Sequence, residues 1–407
     1  MKSINNIAEH YVRLSLKIGQ HCESYVDAYY GPQQWHPCAK PTPLPQLKSE
    51  ALALINQAQE LTAVEIGNQQ ARLAYLLLHL KSSLTYINQL LGVKLSFIDE
   101  CKALYDAQPP QFDEQHFDQI LATLNKLVPG EGDLTERFIH YRQDFIIPVD
   151  KLDTVFTAAI NEARKRTLQY IDIPSNENFA VELVNDQIWS AYNWYKGNSY
   201  SLIQLNTDFP IYIERVIDLA AHEGYPGHHI FNAQMEKHLV KGKGWMEYAI
   251  YNLFSPTSLL AEGSANYGIE VAFPWQERIE FERDTLFPLA GIAPEKSERY
   301  YQIQTVLHQL SYVDNMVAQR YIDGDINESQ AIDLLMKYTL SSEERSKQRL
   351  AFYQHNRSYV ITYNYGQDLV QDYLATLVND DSKAELWRVF ADLLALPKTA
   401  SMMQTHK

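Results

Sequence analysis

The sequence predicts a mainly α-helical protein with one small β-sheet placed just before a histidine-rich central motif. Three observations carry this. Apolar residues recur at three- and four-residue intervals through most of the chain. Gly 16 and Pro 17 among 407 residues are too few for a loop-rich or all-β chain. Two short runs of strand character, Phe179–Val184 and Tyr200–Leu205, lie close together around a Gly197-Asn198 turn signal. The length fits two or three domains or one two-lobed body. With 46% apolar and 21% charged residues, the chain has the composition of a folded protein.

The elements follow in order. Ile7, Tyr11, Leu14 and Ile18 share a helical face, and that run is expected to stop at Tyr30-Gly31-Pro32. Further helical patterns cover 45–62, 68–92, 96–106, 113–128, 131–146 and 150–172, separated by breakers such as Pro109-Pro110 and Pro129-Gly130-Glu131-Gly132. The two strand-like runs come next, with the aromatic segment Trp189–Tyr195 between them. After Phe209-Pro210 the helical pattern resumes through Ile213, Val216 and Leu219 and enters the central motif; from about 256 to 396 it is helical again. We read residues 1–150 as a helical N-terminal region. Residues 151–407 are read as the region of the central motif, with its sheet at about 178–206 and a helical C-terminal part. One continuous two-lobed body is the alternative.

Lys+Arg 35 against Asp+Glu 50 leaves a net charge of −15, which argues against a nucleic-acid partner. Three cysteines, Cys22, Cys38 and Cys101, argue against a disulfide framework. No run approaches the roughly 18 apolar residues that span a bilayer, and Met1–Gln20 lacks the apolar core of a signal peptide. The expectation is a cytoplasmic protein with no membrane partner.

The most informative segment is Ala221-His222-Glu223-Gly224-Tyr225-Pro226-Gly227-His228-His229. A His-Glu pair on a helix, with more histidines soon after, has the makings of a metal site in which Glu223 acts as general base. On an unbroken helix, however, His228 turns about 600° from His222 and faces away. His229 returns to the same face but lies about 10.5 Å along the axis. Neither could then share an ion with His222. Pro226 lacks a backbone N–H and Gly227 tolerates unusual dihedrals, so a local distortion of about two residues is expected there. Such a distortion brings His228 into place, with His229 as the alternative ligand. A kinked helix with surface or capping histidines is the bland reading.

A third ligand is expected from Leu259-Leu-Ala-Glu-Gly-Ser-Ala-Asn-Tyr-Gly-Ile-Glu270, where Glu262 is a carboxylate among small and apolar neighbours. Glu270 is a candidate to orient a histidine from behind. In Asn356–Gly366, Arg357 and Tyr363 are candidates to stabilise an oxyanion, although with 27 tyrosines in the chain a packing role is the ordinary one.

The run from Trp194-Tyr195 through Asn206-Thr207, Asp208-Phe-Pro210 and His-Glu-Gly-Tyr-Pro-Gly-His-His resembles the bacterial domain of unknown function 885 family. Glu262-Gly263 followed by Tyr267, and Arg357 through Gly366, resemble its later motifs. Gly263-Ser264 departs from the Gly-Trp often found there. The resemblance covers about 180–370. It implies a two-lobed, helical, zincin-like fold of the gluzincin type, with a small sheet next to the active-site helix and one divalent ion, Zn2+ being expected. The resulting expectation is a zinc metallopeptidase working on short peptides through a metal-activated water, with His222, His228 and Glu262 as ligands and Glu223 as base. A short peptide could pair with the strand Tyr200–Leu205. Hydrolysis of a non-peptide amide or ester is the second reading, and a non-catalytic helical binding protein with a relic site is the third.

Overall fold

The computed structural model describes residues 3–62, 69–380, 382–396 and 398–404. It is mainly helical with little strand. The helix starts follow from local chemistry. Ser3, Ser96, Asp113, Asp133, Ser342 and Ser382 each accept a backbone N–H from their first turn, and Asn327 and Gln330 form a reciprocal capping box. The helix expected over 68–92 runs Gln70–Leu90, and residue 68 lies outside the described residues. No helix among the described residues is long and apolar enough to cross a membrane.

The strands depart from expectation in three ways. The first helix ends at Gly19, and Val26–Tyr29 is a strand, β1. Its partner is β5, Ile250–Asn252, more than 200 residues later, so no local pattern announces either. The sheet of the central region contains β2 (Asn178–Val184), β3 (Ala191–Gly197) and β4 (Tyr200–Asn206) in the order β2-β4-β3. The aromatic Trp189–Tyr195 segment thus supplies most of β3. Asn193 and Tyr195 point into the core, while the rings of Tyr192 and Trp194 meet at a tilt on the other face. Lastly, β4 is paired on both sides, parallel to β2 and antiparallel to β3. It has no edge for a peptide, and the outer strands are β2 and β3.

The buried core is continuous from the first helix to the last. At its centre the helix Pro256–Ala272 packs along the helix Ile361–Ala375. Gly263 and Gly366 meet at the crossing. A Cβ on Gly366 would lie 2.6 Å from the Leu259 carbonyl oxygen, and one on Gly263 would overlap the backbone of Gly366. Only glycine lets the two backbones approach so closely. This crossing places Glu262 against the residues that open the second helix.

Candidate metal centre

The helix Ile213–Leu219 widens into a π-helical turn over Ala220–Gly224, breaks at Tyr225–Gly227, and restarts as His228–Met235. Tyr225 and Gly227 donate back to the carbonyls of Ala220 and Ala221 at 3.1 and 2.9 Å, so the chain folds over the end of its own turn. A Cβ at Gly227 would overlap the His222 carbonyl oxygen, which makes glycine obligatory there. Because the axis is broken, His228 returns to His222: the two Nε2 atoms are 3.1 Å apart.

Glu262 completes the group. Its Oε2 lies 3.2 Å from His222 Nε2 and 3.4 Å from His228 Nε2. That oxygen is buried and receives no hydrogen bond. Ligand atoms of a tetrahedral zinc site, at 2.0–2.1 Å from the ion, lie about 3.3 Å from one another. The triangle of 3.1, 3.2 and 3.4 Å therefore fits such an ion. Two imidazole nitrogens and an orphaned carboxylate oxygen in one buried spot suit a cation better than they suit each other.

Neighbouring side chains fix these three residues. His222 Nδ1 is 2.8 Å from Asn266 Oδ1, so Nδ1 carries the proton and Nε2 presents its lone pair. Asn266 in turn donates to the Tyr363 carbonyl at 2.9 Å. The Tyr359 hydroxyl donates to Glu262 Oε1 at 2.6 Å and leaves Oε2 facing the histidines. Burial pushes the Glu262 carboxyl up, but the two imidazoles more than reverse this and hold it well below the usual range.

Glu223 is buried on the π turn, and its backbone carbonyl accepts from Asn193 of β3 at 2.6 Å. Burial raises its carboxyl to about 7; His222 opposes this rise and the Glu262 charge adds to it. Tyr363 packs with its ring 6.4 Å from that of His222, and the charges of Glu262 and Glu223 act on its phenol.

Three expected roles do not match the geometry. His229, one residue after His228, turns about 100° away. It is fully buried between Ser201 Oγ at 2.8 Å and Glu177 Oε1 at 3.0 Å. Glu270 is exposed and accepts from Gln367, because eight residues along a helix leave it about 80° off the Glu262 face. Arg357 pairs with Glu100 at 2.7 Å, and Ser358 donates to the same carboxylate. Its φ of 51°, rare for a residue with a side chain, is held by that contact, so Arg357 shapes the turn before Tyr359 instead of facing the ligands.

Asn266, Tyr359 and Asp27 are the residues that sequence reasoning missed. Asn266 lies four residues after Glu262, a spacing that puts both on one helix face. Tyr359 lies four residues before Tyr363, within the Asn356–Gly366 segment that the sequence singles out. Asp27 comes from β1, and the charges of both His228 and Glu262 act on it. Burial lifts its carboxyl to about 6, against the hydrogen bond from Tyr192 and the pull of His228.

No family model and no curated protein matches the chain. Among solved structures, it is similar to a protein from Colwellia psychrerythraea described as a "putative lipoprotein". The TM-score is 0.57 at 16% identity, over 92% of this chain and 70% of that one. The two share a mainly helical fold. A protein of unknown function from Shewanella oneidensis, also described as a lipoprotein of that kind, gives a TM-score of 0.48 at 11% identity, over 89% and 72%.

Proposed function

We propose that the protein is a zinc-dependent hydrolase, a metallopeptidase that acts on short peptides. The observation that carries this is the convergence of His222, His228 and the orphaned Oε2 of Glu262, with Glu223 buried beside them. His222, His228 and Glu262 would hold the ion. A zinc ion there supplies a Lewis acid and acidifies water near neutral pH. Glu223, buried beside His222, takes a proton from the attacking water and passes it to the leaving amine. Tyr363 offers its phenol to the oxyanion. Asn266 and Tyr359 hold His222 and Glu262 in orientation. The outer strand β3, tied to Glu223 through Asn193, takes over from β4 as the edge along which an extended peptide pairs. The motif resemblance to the 885 family supports the metal site more strongly than any one substrate. We place the chain in the cytoplasm on its three unpaired cysteines, although the Colwellia protein is described as a lipoprotein.

The test is Glu223→Gln, which keeps size and loses basicity. Zinc content should persist while peptide turnover falls by about 10²-fold or more. Turnover at the wild-type rate would remove Glu223 from the mechanism.

A further inference from the structure

We propose that Asp27 is a recognition site for the free amino group at the N-terminus of a peptide, which would make the enzyme an aminopeptidase. The catalytic half of this rests on the hydrolase reading above; the binding half does not. Asp27 is the extra residue of a β-bulge: Val26 pairs with Asn252 and Ala28 with Tyr251, and Asp27 between them has no partner. Bulges commonly re-aim a side chain toward a site, and here the carboxylate meets Tyr192 of β3, the strand whose Asn193 donates to the Glu223 carbonyl. His228 and Glu262 act on its charge, and its charge acts on Glu223.

Its hydrogen-bond donor is the hydroxyl of Tyr192, on the outer strand β3. Among the described residues no Lys, Arg or His nitrogen lies within ion-pair distance of it. The charge of Lys196 also reaches it, but that ammonium lies 5.3 Å over the Trp194 ring. A second group points the same way. Tyr251, the register partner of Ala28, is 8% exposed, and its hydroxyl makes no hydrogen bond of good geometry, since its neighbours Ser258 and Tyr359 donate instead to the Leu253 carbonyl and to Glu262. The charges of Glu262 and Asp27 both act on it.

A carboxylate short of a cation and a hydroxyl short of a partner, each coupled to the charge of Glu262, match an ammonium group. The position selects which ammonium. An α-amino nitrogen is two bonds from the carbonyl carbon of its own residue, whereas a lysine ammonium is far down a flexible stem. An ammonium held at Asp27 with its carbonyl directed to the ligand triangle is therefore an α-amino group.

The test uses zinc-loaded Glu223→Gln protein, which binds without turnover, and calorimetry with leucyl-glycine and N-acetyl-leucyl-glycine. The free-amine peptide should bind about 30-fold more tightly, the scale of a charged hydrogen bond. Adding Asp27→Asn should reduce that preference to about threefold or less, and adding Tyr192→Phe should weaken it partially. Equal binding of the two peptides, binding of neither, or a preference that survives Asp27→Asn overturns the proposal. Wild-type protein that prefers the free amine but cleaves no peptide would overturn the hydrolase reading and leave the amine site standing.

Discussion

His228 and His229 are neighbours in the chain, yet each joins a different buried cluster with a different carboxylate. His229 meets Glu177, which also accepts from Tyr225 and Arg164, while Ser201 meets the other ring nitrogen. Every strong polar group in that cluster has a protein partner. His228 meets His222 and Glu262, where two ring nitrogens converge on an oxygen that receives no hydrogen bond. The same residue types thus make a structural tie on one side and a convergence of unshared lone pairs on the other. What separates them is hydrogen-bond satisfaction, since both are buried and both pair histidine with glutamate.

The largest effect that tests this contrast is loss of the ion. His222→Ala should abolish stoichiometric zinc, measured by metal analysis, together with the zinc-dependent rise in melting temperature. In the wild type, that rise corresponds to about 2.7 kcal/mol at zinc 100-fold above Kd. Stoichiometric zinc in the variant would break the assignment. Next comes His229→Ala, expected to cost about 3 kcal/mol in urea unfolding because Glu177 stays buried with one donor fewer. Its zinc stoichiometry should be unchanged, and zinc loss without destabilisation would exchange the roles of the two histidines.

A pH series sharpens the structural side. Its three donors outweigh burial and hold the Glu177 carboxyl at about 2, below its ordinary value of 4.5. A carboxyl depressed by folding stabilises fully above its unfolded pKa, and the benefit fades as pH falls toward the folded one. Unfolding midpoints of wild type and Glu177→Gln should therefore differ most above pH 4.5 and converge toward pH 2. A constant gap would deny that Glu177 is ionised in the folded state. The smallest effect is expected at Glu270→Gln, within about 0.5 kcal/mol of wild type and with unchanged zinc affinity. A tenfold loss of affinity there would restore Glu270 to the metal centre.

The grouping of His222, His228 and Glu262 was largely legible because it depends on side-chain type and short spacing. The impossibility of an unbroken helix could be worked out from His222 and His228 alone, and Pro226-Gly227 marked where it must give way. What was hidden depends on contacts distant in sequence. Nothing near Asp27 foretells that Ala28 pairs with Tyr251, and a four-residue strand after a helix looks like a loop. Arg357 resembled a catalytic cation until Glu100, from a helix some 250 residues earlier, took it. The Glu270 expectation failed on angle: eight residues are close to two turns, and the remainder is enough to leave the site.

Gly263 and Gly366 carry no functional group, and neither would be picked out by a search for ligands, acids or bases. Their contact nonetheless sets how far Glu262 stands from Tyr359. A methyl group at either position would push the two helices apart and uncouple the carboxylate from the hydroxyl that aims it. The proposed centre can thus be lost through a change that leaves His222, Glu223, His228 and Glu262 in place, and variants of this chain are better judged by backbone separation at that crossing than by their inventory of polar residues.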